Sequence, residues 1–316
     1  MAEKIALIGS GFIGRAWAIS FARAGYEIAM TDPTPGAVEK ALDFVAEMLE
    51  DLAGNDLLEG QSPATLRGRI SAAKDVKAAV DGAVHVQENA PEHLPTKIAV
   101  FQELDALAAP GTVLSSSASA LLPSLFTEGL KGRHRCIIAH PVNPPYLIPV
   151  VELVPAPWTS PETLERVRAL MVKAGQVPIM MKREIDGFIV NRLQAALLAE
   201  SFRLFGEGYA DTQAIDDAVR HGLGLRWSFM GPFETIDLNS PGGVGEYIDR
   251  YEDLFKRLWR TQLHDVAWGG TVREGALAER DAKLPRGKLL DRQKWRDRRL
   301  MALAAHKRKA ASTVGN

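Results

Sequence analysis

Six residues, Gly9-Ser10-Gly11-Phe12-Ile13-Gly14, restrict the fold of this chain more than any other feature. Taken alone, G-x-G-x-x-G is a weak signal in a sequence with 27 glycines. Its setting makes it specific. An apolar run over 4–8 precedes it and an amphipathic helical pattern over 12–24 follows, so the glycines lie at a strand-to-helix turn. Asp32 closes the next apolar run, 18 residues after Gly14. In such a turn the first glycine permits the bend, the second lets a pyrophosphate approach the backbone, and the third lets helix pack on strand. The helix start then offers unpaired N–H groups and the positive end of its dipole. We therefore expect a dinucleotide site built from these six residues and Asp32. A carboxylate there accepts bonds from the adenosine ribose and repels a 2′-phosphate, which favours NAD over NADP.

Short apolar runs at 4–8, 27–31, 83–87, 112–116, 136–140, 150–154 and 177–181 alternate with helical patterns at 12–24, 36–52, 96–108 and 161–174. That alternation predicts an α/β, Rossmann-like, doubly wound sheet. Beyond Asp186 only helical patterns remain, at 188–205, 212–221, 244–263 and a charged stretch over 280–309. The expected division is a nucleotide-binding domain at 1–184 and an all-helical domain at 185–316, two domains being ordinary for 316 residues. Net charge of −1 gives no reason to expect nucleic acid or a membrane surface as partner, and no apolar run is long enough to span a bilayer. The single cysteine, Cys136, excludes an internal disulfide and fits a reducing, cytoplasmic setting. It reads as a buried strand thiol. No metal site is expected.

The segment from His140 to Glu152, HPVNPPYLIPVVE, ends one expected strand and starts the next. Three prolines in the five residues after His140 forbid helix and force an extended excursion. A chain returning this way can set Glu152 beside His140. Oxidising an alcohol needs a group that moves a proton on oxygen while hydride leaves carbon, and an imidazole oriented by a carboxylate suits that task.

This segment resembles the signature of the L-3-hydroxyacyl-CoA dehydrogenase superfamily and, more narrowly, its lambda-crystallin / L-gulonate 3-dehydrogenase branch, which reads similarly through 140–155 and 222–239. The resemblance implies an NAD-dependent dehydrogenase acting on a 3-hydroxyl, with His140 as general acid/base and Glu152 as its partner. It implies that Asn191, in Asp186-Gly187-Phe188-Ile189-Val190-Asn191, helps hold the substrate oxygen. Ser115-Ser116-Ser117-Ala118-Ser119 lies where many relatives have Ser-Asn-Thr-Ser-Ser, so the substrate contact falls to Ser119 and Ser117 joins the cofactor side. Glu92 and Lys97 resemble positions that line the nicotinamide pocket. The helical half is implied to be a substrate and dimerisation platform, hence a homodimer.

Two substrate types belong to the family, acyl-CoA thioesters and small free acids. Glu39, Asp43, Glu47, Glu50, Asp51, Asp56 and Glu59 against Lys40 make an acidic face in the region implied to lie near the tail of CoA, which disfavours that polyanion. A free hydroxy or keto acid needs one cation, and Arg226 is the candidate. The rivals are an L-3-hydroxyacyl-CoA dehydrogenase, a carnitine 3-dehydrogenase and a crystallin-like structural protein. Between 280 and 309, twelve Lys and Arg oppose three Asp. We expect a basic helix with Leu289, Leu290, Trp295, Leu300 and Leu303 as its packing stripe. It can lie on the acidic face, within the chain or across a dimer, with 310–316 disordered.

Overall fold

The computed structural model describes residues 2–263 and 265–315. They form two compact units, 2–191 together with 295–313, and 192–294. Eight strands make one sheet in the first unit: β1 (Lys4–Ile8), β2 (Glu27–Thr31), β3 (Ile70–Ala72), β4 (Ala83–Glu88), β5 (Val113–Ser116), β6 (Cys136–Pro141), β7 (Val150–Pro155) and β8 (Val177–Met180). Their order is β3-β2-β1-β4-β5-β6-β7-β8. All neighbours are parallel except β6 and β7, which run antiparallel. Only β3 was absent from the expected set; three residues carry too little pattern to read.

The sheet is buried on both faces, as a parallel sheet must be. Along β1, Ile5 and Leu7 enter one apolar layer while Ala6 and Ile8 enter the other. Each fully buried Ile or Leu stabilises the fold by roughly 1.5–3 kcal/mol. Helices α1 (Phe12–Arg23) and α2 (Ala37–Gly54) cover the first layer, where Trp17 and Phe21 stack at 4.9 Å. The Leu94–Leu107 helix covers the second through Phe101 and Leu104. The chain leaves β1 toward β2 and crosses to β4 on the other side, so the strand order reverses beside β1. In open α/β sheets ligands collect at the carboxyl edge of such a switch point. Cys136 is buried in β6, and that burial pushes its thiol up to about 12, which leaves it a core residue.

The terminal helix, Leu289–Thr313, differs from expectation in three ways. Its residues 295–313 belong to the nucleotide-binding unit rather than to the helical one. Helix continues to Thr313, where disorder was expected from 310. The buried stripe is Asp297 and Met301, with Leu300, Ala304 and Ala305 packed beside them, while Leu289, Leu290, Trp295 and Leu303 stay exposed. Positions 297, 301 and 305 follow the i, i+4 spacing of one helix face. The helix is held on the acidic face of α2 by Arg298–Asp51 (3.3 Å) and Arg308–Asp56 (2.7 Å), and Asn55 donates to the Met301 sulfur. That acidic face is thus partly neutralised within the chain.

The second unit is helical, with its longest helix at Gly243–Gln262. Among the described residues no apolar side chain of 192–294 is buried. Among the described residues, no helix is long and apolar enough to cross a membrane.

Candidate active site

The site grows from the switch point. Gly9 follows β1 with φ of +93°, and a Cβ there would lie 2.9 Å from the Asn89 carbonyl oxygen. A Cβ on Gly14 would lie 2.0 Å from the Gly9 oxygen. Both positions therefore exclude every larger residue. A Cβ on Gly11 meets nothing, so open space faces the loop where a pyrophosphate has to approach. Helix α1 has no side-chain cap, which leaves its first amides for an anion. Asp32 accepts from the Ser10 amide (2.8 Å), the Ser10 hydroxyl (3.0 Å) and the Thr34 amide (2.9 Å). Burial alone pushes its carboxyl up, but these bonds outweigh burial and hold it below the usual carboxylate range. An ionised Asp32 beside the loop fits the ribose of NAD.

His140 and Glu152 are direct register partners across the antiparallel pair β6 and β7. Cross-strand partners point to the same face. The His140 Nδ1 lies 2.8 Å from Glu152 Oε2. Returning residues are pinned by the buried Tyr146 and Leu147 and by Gln176, which donates to the Pro145 oxygen at 2.9 Å. The other Glu152 oxygen, Oε1, accepts from the Ile189 amide (2.7 Å) and the Val190 amide (3.0 Å) at the start of the Val190–Gly206 helix. Gly187 and Phe188 both adopt positive φ, which turns the chain sharply enough to aim these amides at the carboxylate. Phe188 is fully buried, with its ring 5.5 Å from the imidazole.

Burial pushes the Glu152 carboxyl up. The His140 bond and the two amides overcome it and keep the group below its ordinary range. A carboxylate only accepts, so Nδ1 of His140 carries a proton and, in the neutral ring, Nε2 is the acceptor. The next residue, Asn191, donates its amide to the Ser119 carbonyl at 2.8 Å. Ser119 in turn gives its hydroxyl proton to Glu92 at 2.7 Å. Two hydrogen-bonded sets, His140–Glu152 and Asn191–Ser119–Glu92, therefore meet at the start of this helix, where Ile189 and Val190 bind Glu152 and Asn191 follows directly.

Comparison with known proteins decides the family. The 3-hydroxyacyl-CoA dehydrogenase NAD binding domain matches residues 4–185, and the C-terminal domain of the same family matches 187–268. A lambda-crystallin homolog of Bos taurus is 43% identical over 303 residues, covering 95% of this chain and 94% of its own length. An L-carnitine dehydrogenase of Pseudomonas sp is 36% identical over 258 residues, 81% of this chain and 79% of that one. Among solved structures, an NAD-dependent 5-formyl-3-hydroxy-2-methylpyridine 4-carboxylic acid 5-dehydrogenase superposes with a TM-score of 0.81 at 25% identity, covering 96% and 97% of the two chains.

This chain belongs to the lambda-crystallin branch of the 3-hydroxyacyl-CoA dehydrogenase family. It is an NAD-dependent oxidoreductase acting on CH–OH groups.

Three residues expected at the cofactor have hydrogen-bond partners within the chain. Lys97 is 1% exposed, and its ammonium donates to both Glu88 oxygens (2.8 and 2.9 Å) and to the Ala90 oxygen (2.9 Å). A buried ammonium needs such a set, which uses its three protons. The Ser117 hydroxyl donates to Asn89 Oδ1 and accepts from Trp17 Nε1 and Gln87 Nε2. It steadies the loop that carries Asn89. Glu92 receives the Ser119 hydroxyl and the amides of Ser119, Ala120 and Leu121. Burial works against its ionisation, but these bonds prevail and lower its pKa. It shapes the serine turn.

Asn89, Phe188 and the amides of 189 and 190 were not anticipated. Gly187-Phe188 directly before a helical pattern was the one sequence signal for such a turn. Arg226 lies half-buried in the short Gly224–Trp227 helix of the second unit. Among the described residues it makes no ion pair.

Proposed function

We propose that this dehydrogenase interconverts the 3-hydroxyl and 3-keto groups of a small free hydroxy acid, L-gulonate or a short 3-hydroxy acid. The observation that carries the reading is the His140–Glu152 pair at the carboxyl edge, with Nδ1 held and Nε2 left for substrate. NAD, when bound, supplies the hydride acceptor. In oxidation His140 Nε2 takes the 3-hydroxyl proton, and the buried Glu152 carboxylate stabilises the imidazolium that results. The two amides on Glu152 Oε1 keep that carboxylate ionised and in place. Asn191 orients the reacting oxygen. Ser119, with its proton on Glu92, offers lone pairs and so takes a hydroxyl donor of the substrate.

Two features support a free acid over a CoA thioester. The face of α2 implied to lie near CoA is acidic and carries the terminal helix, bound through Asp51 and Asp56. Carnitine, named in one of the relatives, is itself a free 3-hydroxy acid. Arg226 is assigned to the carboxylate, which an arginine holds through two parallel bonds. The test is kcat/KM for L-gulonate, L-carnitine and L-3-hydroxybutyrate with NAD, beside acetoacetyl-CoA with NADH. The reading expects a free acid to lead by at least tenfold, and Arg226→Ala to raise KM for that acid and shrink the lead. A thioester preference overturns it.

The working form is inferred to be a homodimer. The exposed apolar residues of 192–294, among them Phe229, Phe233, Leu238, Trp259 and Leu263, support a second copy covering them. Sedimentation showing a monomer at micromolar concentration overturns that. A single buried thiol is consistent with residence in the reducing cytoplasm.

A further inference from the structure

The ladder between β5 and β6 ends at Ser116↔Ile138. The next two amides turn away from β6, that of Ser117 to the Glu88 carbonyl (2.8 Å) and that of Ala118 to the Ser116 hydroxyl (3.1 Å). Ala139, the residue before His140, therefore lies past the end of this ladder, although it is fully buried. On the other edge β7 holds the chain, where His140 faces Glu152. A buried carbonyl left without a donor is costly, and here a side chain supplies one. Gln87 of β4 reaches past β5 and donates its Nε2 to the Ala139 oxygen at 3.1 Å.

The carbonyl oxygen can only accept, so the Gln87 atom beside it is the amide nitrogen. Its second hydrogen goes to the Ser117 hydroxyl at 2.7 Å. Gln87 Oε1 lies 3.1 Å from His85 Nε2, which carries the hydrogen of that bond. The Ser117 hydroxyl donates in turn to Asn89 Oδ1 at 2.8 Å. The Asn89 amide donates to the Ile8 carbonyl at 2.7 Å, directly before Gly9, and the Asn89 carbonyl is the atom that forbids a Cβ on Gly9. Gln87 is fully buried, so its bonds are shielded from water. A continuous set of bonds thus runs from the glycine turn through Asn89, Ser117 and Gln87 to the peptide that carries His140.

We propose that Gln87 is a positioning residue for the dehydrogenase reaction: it sets His140 against the glycine turn, and so against the dinucleotide held there. Proton and hydride leave neighbouring atoms of one substrate, which fixes where base and cofactor must stand relative to each other. A misplacement of about 1 Å can cost on the order of 10²-fold in rate. This role rests on His140 acting as the base.

The test is Gln87→Met in the full-length protein, which keeps the bulk of the side chain and removes its three bonds. Turnover is followed with NAD and whichever of L-gulonate, L-carnitine and L-3-hydroxybutyrate the wild type oxidises fastest. It is expressed per NADH-binding site, so that unfolded protein does not count. We expect kcat to fall at least tenfold while KM for NAD and NADH affinity hold within about twofold. Gln87→Leu, a second apolar replacement, should show the same split. Thr112→Val is the control, since the buried Thr112 hydroxyl donates to the Ala83 carbonyl at 2.7 Å, a bond of the same kind at the opposite end of the sheet. Its kcat should hold within about twofold. The proposal is overturned if both Gln87 variants keep kcat within about twofold, if NADH affinity falls as far as kcat, or if Thr112→Val loses as much. His140→Gln in the same assay tells the two readings apart. If it stays active, the base itself is wrong; if it is inactive beside an active Gln87→Met, only the positioning role is lost.

Discussion

Glu152→Gln tests the catalytic pair at its most informative atom. The substitution is nearly isosteric, and the Ile189 and Val190 amides at 2.7 and 3.0 Å dictate how the new amide must sit. Two N–H donors require an oxygen, so the glutamine carbonyl occupies the Oε1 position and its NH₂ points at His140 Nδ1. A donor there forces the imidazole proton onto Nε2, the atom that has to accept the substrate proton. The base is lost through the wrong tautomer while the packing stays. The imidazolium also loses a buried carboxylate 2.8 Å away. Correctly placed general base catalysis contributes about 10²–10⁴-fold, or roughly 2.7–5.5 kcal/mol of transition-state stabilisation. We expect kcat/KM to fall by that factor in both directions, because the overall equilibrium is unchanged. NADH affinity, read by fluorescence quenching, should hold within about twofold. An activity loss below about fivefold refutes the tautomer reasoning, and a matching loss of NADH binding points instead to a collapsed site.

Further expectations follow from the same geometry. Asp32→Ala removes an ionised ribose partner and the anchor of Ser10; kcat/KM for NAD should drop at least tenfold while that for NADP does not fall. Met301→Ala should cost about 2–5 kcal/mol in urea unfolding because Met301 is fully buried, whereas Arg298→Ala should cost about 1 kcal/mol or less, its ion pair being largely exposed. His85, at about 4 when folded and 6.5 as a free group, stays neutral in the native state while the unfolded chain takes up a proton below 6.5. Stability should therefore decline as pH falls from 6.5 toward 4, by about 3 kcal/mol from this group. The decline should be correspondingly shallower in His85→Gln, and equal slopes exclude the buried neutral imidazole.

The parts of this molecule legible in sequence are those fixed by local pattern. The glycine turn, Asp32 and seven of the eight strands follow from apolar periodicity and from what only glycine can do at Gly9 and Gly14. The His140–Glu152 contact was readable because prolines left the chain one way to travel and a strand on each side. Partner choice was not readable. Nothing local shows that Lys97 is buried on Glu88. The Ser117 partners were hidden for the same reason, since Trp17, Gln87 and Asn89 come from separate elements. The phase of the terminal helix was also hidden. Its apolar residues suggest one stripe, but Met301 packs inward with Leu300, Ala304 and Ala305 instead, and Arg298 and Arg308 meet Asp51 and Asp56 beside it.

Replacing His140 by glutamine examines the whole account most directly. With the free hydroxy acid that the wild-type enzyme prefers, NADH formation followed at saturating substrate should fall by at least 10²-fold in His140→Gln while NADH still binds. A variant that retains most of the wild-type kcat contradicts proton transfer at this imidazole.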